Sequence, residues 1–285
     1  MRYFVVSDVH SFGRILSDTL AAGGFEKGNP EHKLIVCGDI FDRGPDTIFT
    51  YEYLTGLPKD QLILIRGNHE LLYMELLKKP LPERFDFSNG TIRTFCHIAG
   101  YNTDILDRAL IAEQLLAEGS LNIANLDKQY KINWKKVRQA VKKSEITKFI
   151  ASDRWQWYFE VDDKVFVHSF VPFRIKPGYE FMKNDFYQPP IEFCEYDPDW
   201  RNCTDEQMWQ TASWGCPWQQ FRAGLFKEDG KTLVCGHWHT SDFFWQLDDI
   251  PKRQADSTIY NNHGLIGLDA CTALSKRINL YIFDC

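Results

Sequence analysis

The chain has 285 residues, of which 44% are hydrophobic and 25% charged, with a formal net charge of -6. This composition is that of a globular chain able to bury a sizeable core, and it excludes a disordered or fibrous protein. The acidic balance disfavours tight, sequence-blind binding of nucleic acid, which calls for a basic face or stripe.

No apolar run approaches the length that spans a bilayer. The run from Met1 to Asp8 is too short in apolar residues to read as a signal peptide, so a cytoplasmic protein is expected. None of the eight cysteines forms a C-x-x-C pair, and reduced thiols are expected.

In chain order, the first seventy residues alternate between strand-like and helical patterns. Arg2 to Ser7 is a short apolar run, followed by helical spacing over Phe12 to Ala22 (Ile15, Leu16, Leu20). Lys33 to Cys37 and Gln61 to Ile65 are further strand-like runs, and helices are expected over Asp46 to Leu57 and Glu70 to Lys79. Continuous apolar strands separated by helices indicate β-α-β units with strands buried on both faces.

A first insertion is expected over about residues 80–163, with helices near Leu106 to Glu118 and Trp134 to Ile150. The basic face of the second helix (Lys135, Lys136, Arg138, Lys142, Lys143) reads as a solvated surface. Trp155 to Phe159 reads as packing. Strands return at Lys164 to Val167 and Lys231 to Cys235, and Leu265 to Leu268 with Arg277 to Phe283 reads as a closing hairpin. Between them, about residues 170–230 form a second, irregular insertion rich in Trp, Pro and Phe. No linker divides the chain, so one domain over 1–285 with two decorations is expected.

Five segments share one plan, in which an apolar strand ends and polar, metal-binding side chains follow at once. They are Ser7-Asp8-Val9-His10, Gly38-Asp39-Ile40-Phe41-Asp42-Arg43-Gly44, Arg66-Gly67-Asn68-His69-Glu70, Val167-His168-Ser169 and Gly236-His237-Trp238-His239. Ligands of open α/β sheets gather at the carboxyl ends of strands, and Gly38, Gly67 and Gly236 permit sharp turns there. Taken singly, each segment has an ordinary reading: a strand-borne histidine in a core, or Asn68 as a helix cap. Together, five of the eight histidines follow strand-like runs beside Gly, Asp or Asn. His32, His97 and His263 do not, and read as structural or surface residues.

The ligand set of Asp8, His10, Asp39, Asn68, His168, His237 and His239 mixes oxygen with imidazole, which suits Mn, Fe or Zn better than Ca or Mg. Seven ligands fit two divalent ions if Asp39 bridges them. Two metals roughly 3.5–4 Å apart can activate a hydroxide for in-line displacement at phosphorus.

The order D-x-H, G-D-x-x-D-R-G, G-N-H-E, a strand-borne His and G-H-x-H resembles the calcineurin-like metallophosphoesterases, and most the phosphoprotein phosphatase branch. The resemblance implies an α/β fold with a central β-sandwich of mixed sheets flanked by helices. It implies Asp8, His10, Asp39 and His239 at one metal, and Asp39, Asn68, His168 and His237 at the other. It also implies His69 as general acid oriented by Asp42, Arg43 as a fork on the phosphate oxygens, and a metal-dependent phosphatase, with manganese the first choice of metal.

The first motif reads Ser-Asp-Val-His-Ser and the fourth His-Ser-Phe, both departing from the phosphatase pattern. Arg66 is a weaker candidate for the phosphate grip, with a structural role as its alternative, and the second phosphate-binding arginine of that branch has only Arg201 and Arg222 as candidates. The substrate class is a phosphorylated small molecule, nucleotide or phosphopeptide. A dinucleoside-polyphosphate hydrolase or phosphodiesterase, with Trp209, Trp214 and Trp218 stacking bases, is the alternative enzyme. A non-catalytic metal-binding scaffold is the alternative of another class.

Overall fold

The structure, a computed structural model, describes residues 1–101, 132–177, 189–208 and 212–285. The expected helix over Leu106 to Glu118, and Trp209, lie outside them. The first sheet holds β1 (Arg2–Val6), β2 (His32–Cys37), β3 (Leu62–Ile65), β4 (Trp155–Gln156) and β12 (Tyr281–Asp284), in the order β12-β1-β2-β3-β4. Strands β1 to β4 run parallel and β12 lies antiparallel on β1. The second sheet holds β5 (Tyr158–Val161), β6 (Lys164–Val167), β9 (Thr232–Cys235), β10 (Tyr260–Asn262) and β11 (Leu265–Gly267), in the order β10-β11-β9-β6-β5. Its central strands β6, β9 and β11 are parallel. A separate hairpin pairs β7 (Phe173–Ile175) with β8 (Cys194–Tyr196).

The period of two along each strand builds the layers. Val5, Ile35, Cys37 and Ile65 of the first sheet meet Phe166, Val234 and Ile266 of the second in a buried middle layer. Phe4, Val6, Leu34, Val36, Leu62 and Leu64 point the other way, under the helices. Val165, Val167, Leu233 and Leu265 line the outer core of the second sheet. Each such side chain contributes about 1.5–3 kcal/mol when fully buried, so the sandwich is a rigid base for the loops it carries.

Helices α1 (Gly13–Ala22), α2 (Thr47–Thr55), α3 (Asn68–Lys78), α4 (Arg84–Ser88) and α5 (Thr91–Ile98) belong to the first half. The α/β class and the sandwich of mixed sheets agree with expectation. Two local expectations do not. The helix expected over Trp134 to Ile150 is two, Trp134–Lys143 and Glu145–Ile150, because Ser144 is extended (ψ 151) and its side chain caps the second at Thr147 N. The run Trp155 to Phe159 packs as expected, with Trp155 in the core and Tyr158 and Phe159 against it, and it also splits between β4 and β5 in different sheets. The expected closing hairpin does not form: β11 pairs with β10 and β9, and β12 crosses to β1, so the two runs lie in opposite sheets. On the basic face of Trp134–Lys143 the four lysines are exposed, as expected, and Arg138 is half-buried, while Trp134, Val137 and Val141 enter the core. No disulfide forms among the eight cysteines.

Candidate active site

The carboxyl ends of β1, β2, β3, β6 and β9 bring all five motifs to one rim. Two contacts tie the sheets together there. His168, after β6, bonds through Nδ1 to the Cys37 carbonyl of β2 at 2.9 Å. His237, after β9, donates its backbone N–H to Asp8 Oδ2 at 2.9 Å. Strain concentrates at the same rim. Twelve described non-glycine residues have left-handed φ, and seven of them are Asp8, His10, Ser11, Asp39, Asp42, Arg43 and His237. Such conformations cost on the order of 1–3 kcal/mol each and persist where the surroundings impose them. Gly38 (φ 78) is required outright, because a Cβ there would meet the His168 ring and the Gly67 backbone.

His10 and His168 each commit Nδ1 to a backbone carbonyl, Phe41 O at 3.1 Å and Cys37 O at 2.9 Å. A ring bonded in this way carries its proton on Nδ1 and turns the Nε2 lone pair inward. His168 Nε2 lies 2.8 Å from Asn68 Oδ1, 3.2 Å from His237 Nδ1 and 3.4 Å from Asp39 Oδ1. In this orientation Asn68 Oδ1 faces only acceptors; with the amide turned over, its nitrogen would instead donate to Asp39, His168 and His237. Inward lone pairs meeting without hydrogens between them are what a cation satisfies, so these residues fit a metal.

One ligand atom each from His10, Asp39 and His69 lies within 4.8 Å of the others, and the same holds for Asp39, His168 and His237. Asp39 is common to both groups. Asp8 Oδ1 lies 3.9 Å from His10 Nε2. Asn68 is the first residue of α3 and Gly67 its cap, so the side chain of Asn68 is free of a capping duty and turns into the site.

Burial sets the charges. Desolvation raises Asp8 to about 6, against the pull of His168. Desolvation also raises Asp39 and lowers His10, His168 and His237. Burial makes these carboxyls costly to ionise and the imidazoles costly to protonate, so a nearby cation would favour the ionised acids and the neutral rings alike.

His69 and Arg43 sit at the edge of the acceptor set. His69 Nδ1 donates to Asp42 Oδ2 at 2.7 Å, and its Nε2 is 3.9 Å from Asp39 Oδ2. Arg43 spans two rings, with Nη1 at 3.1 Å from His10 Nε2 and Nη2 at 3.2 Å from His69 Nε2.

The remaining sequence candidates fall elsewhere. His239 caps the helix Thr240–Leu247, outside both groups, with Nε2 3.9 Å from Asp269 Oδ2. Arg201 is held by Glu160 (2.6 Å) and Glu228 (3.0 Å), and Arg222 reaches the Gln246 carbonyl, so neither joins Arg43. Arg66 lies over the Trp157 ring. His32, His97 and His263 bond outside the site. Trp214 stands edge-on to His237 at 5.9 Å, and Trp218 meets Trp238 at 6.3 Å, so both border the rim.

Sequence reasoning missed two carboxylates. Glu70 accepts the backbone N–H groups of Asp39 (3.0 Å), Ile40 (2.9 Å) and Gly67 (2.9 Å), locking two motif loops together. Asp269 follows β11, is buried, and is raised by burial and by nearby Asp8. Its signal was the same strand-then-acid pattern, without a neighbouring Gly or His.

A family model of the calcineurin-like phosphoesterases matches residues 1–241. The chain belongs to this family. As a calcineurin-like phosphoesterase it is a phosphoester hydrolase, of a family that uses a dinuclear divalent metal centre, and groups able to hold such a centre are present. No curated protein matches by sequence. Among solved structures, a cold-active protein tyrosine phosphatase is similar at 13% identity and TM-score 0.51, over 99% of this chain and 73% of that one. A metallophosphoesterase from Sphaerobacter thermophilus is similar at 12% identity and TM-score 0.43, over 100% and 84%. A protein serine/threonine phosphatase from Saccharomyces cerevisiae is similar at 14% identity and TM-score 0.39, over 94% and 67%. At these identities the likeness concerns the fold alone. No helix among the described residues is long and apolar enough to cross a membrane.

Proposed function

We propose that this phosphoesterase hydrolyses phosphate monoesters, with phosphoserine or phosphothreonine as candidate substrates, in one domain over 1–285. The reading takes Asp8, His10, Asp39 and His239 as ligands of one divalent ion, and Asp39, Asn68, His168 and His237 as ligands of a second. Manganese is the proposed metal, on the mixed oxygen and imidazole donors. The cytoplasm is the proposed compartment, on the free thiols of all eight cysteines. The observation that carries the reading is the sharing of Asp39 between two acceptor groups with the His69–Asp42 pair at their edge. His239 joins on its motif alone, and its ring would have to turn from Asp269 to serve.

Two bound cations would supply charge for the phosphoryl oxygens and acidify the attacking water. The protein's own groups do the rest. The Arg43 fork leaves the His10 and His69 rings for two phosphate oxygens, a match for its planar geometry. His69 Nε2, released from Arg43, carries a proton to the departing alkoxide. Asp42, on Nδ1, holds the ring and stabilises its charged form.

The test is His69→Asn with Mn²⁺ supplied, on an alkyl phosphate and on nitrophenyl phosphate. The expected outcome is unchanged metal content and an alkyl rate lower by about 10²–10⁴-fold, with a smaller loss on the nitrophenyl ester, whose leaving group needs no acid. Equal losses on both esters would remove the acid role. Lost metal would make His69 a ligand, which its place beside His10 and Asp39 also permits.

A second reading, hydrolysis of a dinucleoside polyphosphate, draws support from Trp214 against His237 and from Trp238, 36% exposed beside it. Aromatic faces at a phosphate site can stack bases. Comparing a phosphomonoester with a diadenosine polyphosphate separates the two readings.

A further inference from the structure

Asp42 and Arg43 are consecutive residues with left-handed φ, 76 and 60. Neither is glycine, so neighbouring structure has to hold the pair in place. The first turn of α5, expected to be part of the first insertion, does so. Gly90 (φ 82) lies against the Arg43 backbone, where a Cβ would come within 2.5 Å of Arg43 N. Arg93 Nη1 donates to the Arg43 carbonyl at 2.7 Å. Thr94 Oγ1 accepts the Asp42 N–H at 3.0 Å. Thr91 Oγ1 donates to Asp42 Oδ2 at 2.8 Å, and that is the oxygen which takes the His69 Nδ1 proton. Thr91 and Thr94 are each 1% exposed.

Four residues of one short segment thus grip two residues of the G-D-x-x-D-R-G loop, each through a different atom. Thr94, Arg93 and Gly90 hold the backbone. Thr91 alone reaches the carboxylate, and its bond fixes which oxygen faces His69 and in which direction.

We propose that Thr91 is a positioning residue for the acid pair, acting through Asp42 on His69, and that the segment from Gly90 to Thr94 is the clamp that keeps Asp42 and Arg43 in their strained conformation. The assignment rests on the reading of His69 as the general acid. It gives the start of the expected insertion a duty in the reaction.

The test compares Thr91→Val, which keeps the shape and loses the hydroxyl, with Thr91→Ser, which keeps the hydroxyl. Both are assayed with Mn²⁺ on O-phosphoserine and on nitrophenyl phosphate, alongside His69→Asn. For Thr91→Val, kcat on O-phosphoserine should fall about tenfold more than on nitrophenyl phosphate, the rate equivalent of one hydrogen bond to a charged group. KM for either ester should change less than about twofold, and Thr91→Ser should recover the O-phosphoserine rate. Thr91→Ala, which adds no bulk, carries the same expectation if the valine variant does not fold. Equal slowing of both esters by the valine or alanine variant, no slowing, or no recovery with serine overturns the proposal. If His69→Asn itself shows no preference between the esters, the acid reading falls and the Thr91 role with it. If His69→Asn discriminates and the Thr91 variants do not, only the Thr91 role falls.

Discussion

At Asp39 one carboxylate serves two groups of acceptors, and its backbone sits at φ 54 under the hold of Glu70. Asp39→Asn would replace an acceptor by a donor facing lone pairs. Metal affinity should fall by more than the roughly 10–100-fold that an outer contact costs, as titration with Mn²⁺ would measure; a wild-type isotherm would end its shared role. Glu70→Gln is subtler. A carboxylate accepts three backbone N–H groups there, while an amide nitrogen can accept none, so at least one buried N–H loses its partner at a cost of about 1–3 kcal/mol. Denaturant unfolding should register that loss, and a stability equal to wild type would mean the loops hold without it. These two residues also show what the sequence revealed and what it did not. Asp39 was legible because a strand, a glycine and a second acid three residues on mark it. Glu70 was legible only as a motif letter, since three bonds to backbone leave no trace in side-chain spacing. Asp269 was hidden by the expectation that its strand closed a hairpin with the run now seen as β12.

Among elements, periodicity located the strands β1, β2, β3, β6 and β9 and helices α1 to α3 to within a residue or two, because those strands are buried on both faces and the helices on one. It did not tell which sheet a strand joins. That choice depends on contacts between distant segments, and so β4, β5, β10 and β12 were not placed. The same limit hid the join between β5 and the region around Trp200, made by Arg201 between Glu160 and Glu228. Arg201, with Trp200 and Tyr196, holds Glu228 at about 2, well below the usual carboxylate range. A depressed folded value gives stability that is full above the ordinary value near 4.5 and is lost as pH falls toward 2. Glu228→Gln should therefore be less stable than wild type at pH 7, by about 2 kcal/mol as for a charged hydrogen bond. The difference should shrink as pH falls from about 4.5 toward 2, in acid-unfolding curves of the two proteins. A gap that stays constant over that range would show Glu228 contributing by shape alone.

For the whole molecule, the sandwich carries a cluster of buried acids at one end, and the free energy of folding depends on what charge they hold. Burial raises Asp8 to about 6 and raises Asp39 and Asp269 as well. A raised folded value works in the opposite sense to Glu228: the contribution is present below the ordinary value near 3.8 and is lost as pH rises through about 6. The metal-free protein should thus lose stability between pH 4 and pH 7 on account of these groups. Bound cations reverse the sign, because they require the carboxylates ionised and the imidazoles neutral, so affinity grows as protons leave. Binding to the folded state alone stabilises by RT ln(1 + [L]/Kd). The rise in Tm on adding Mn²⁺ at fixed concentration should then be small near pH 5 and grow steadily to pH 8, with a chelator abolishing both the rise and the phosphatase activity. A rise independent of pH would mean that the ions bind at exposed groups already ionised at pH 5, away from the buried cluster at the rim.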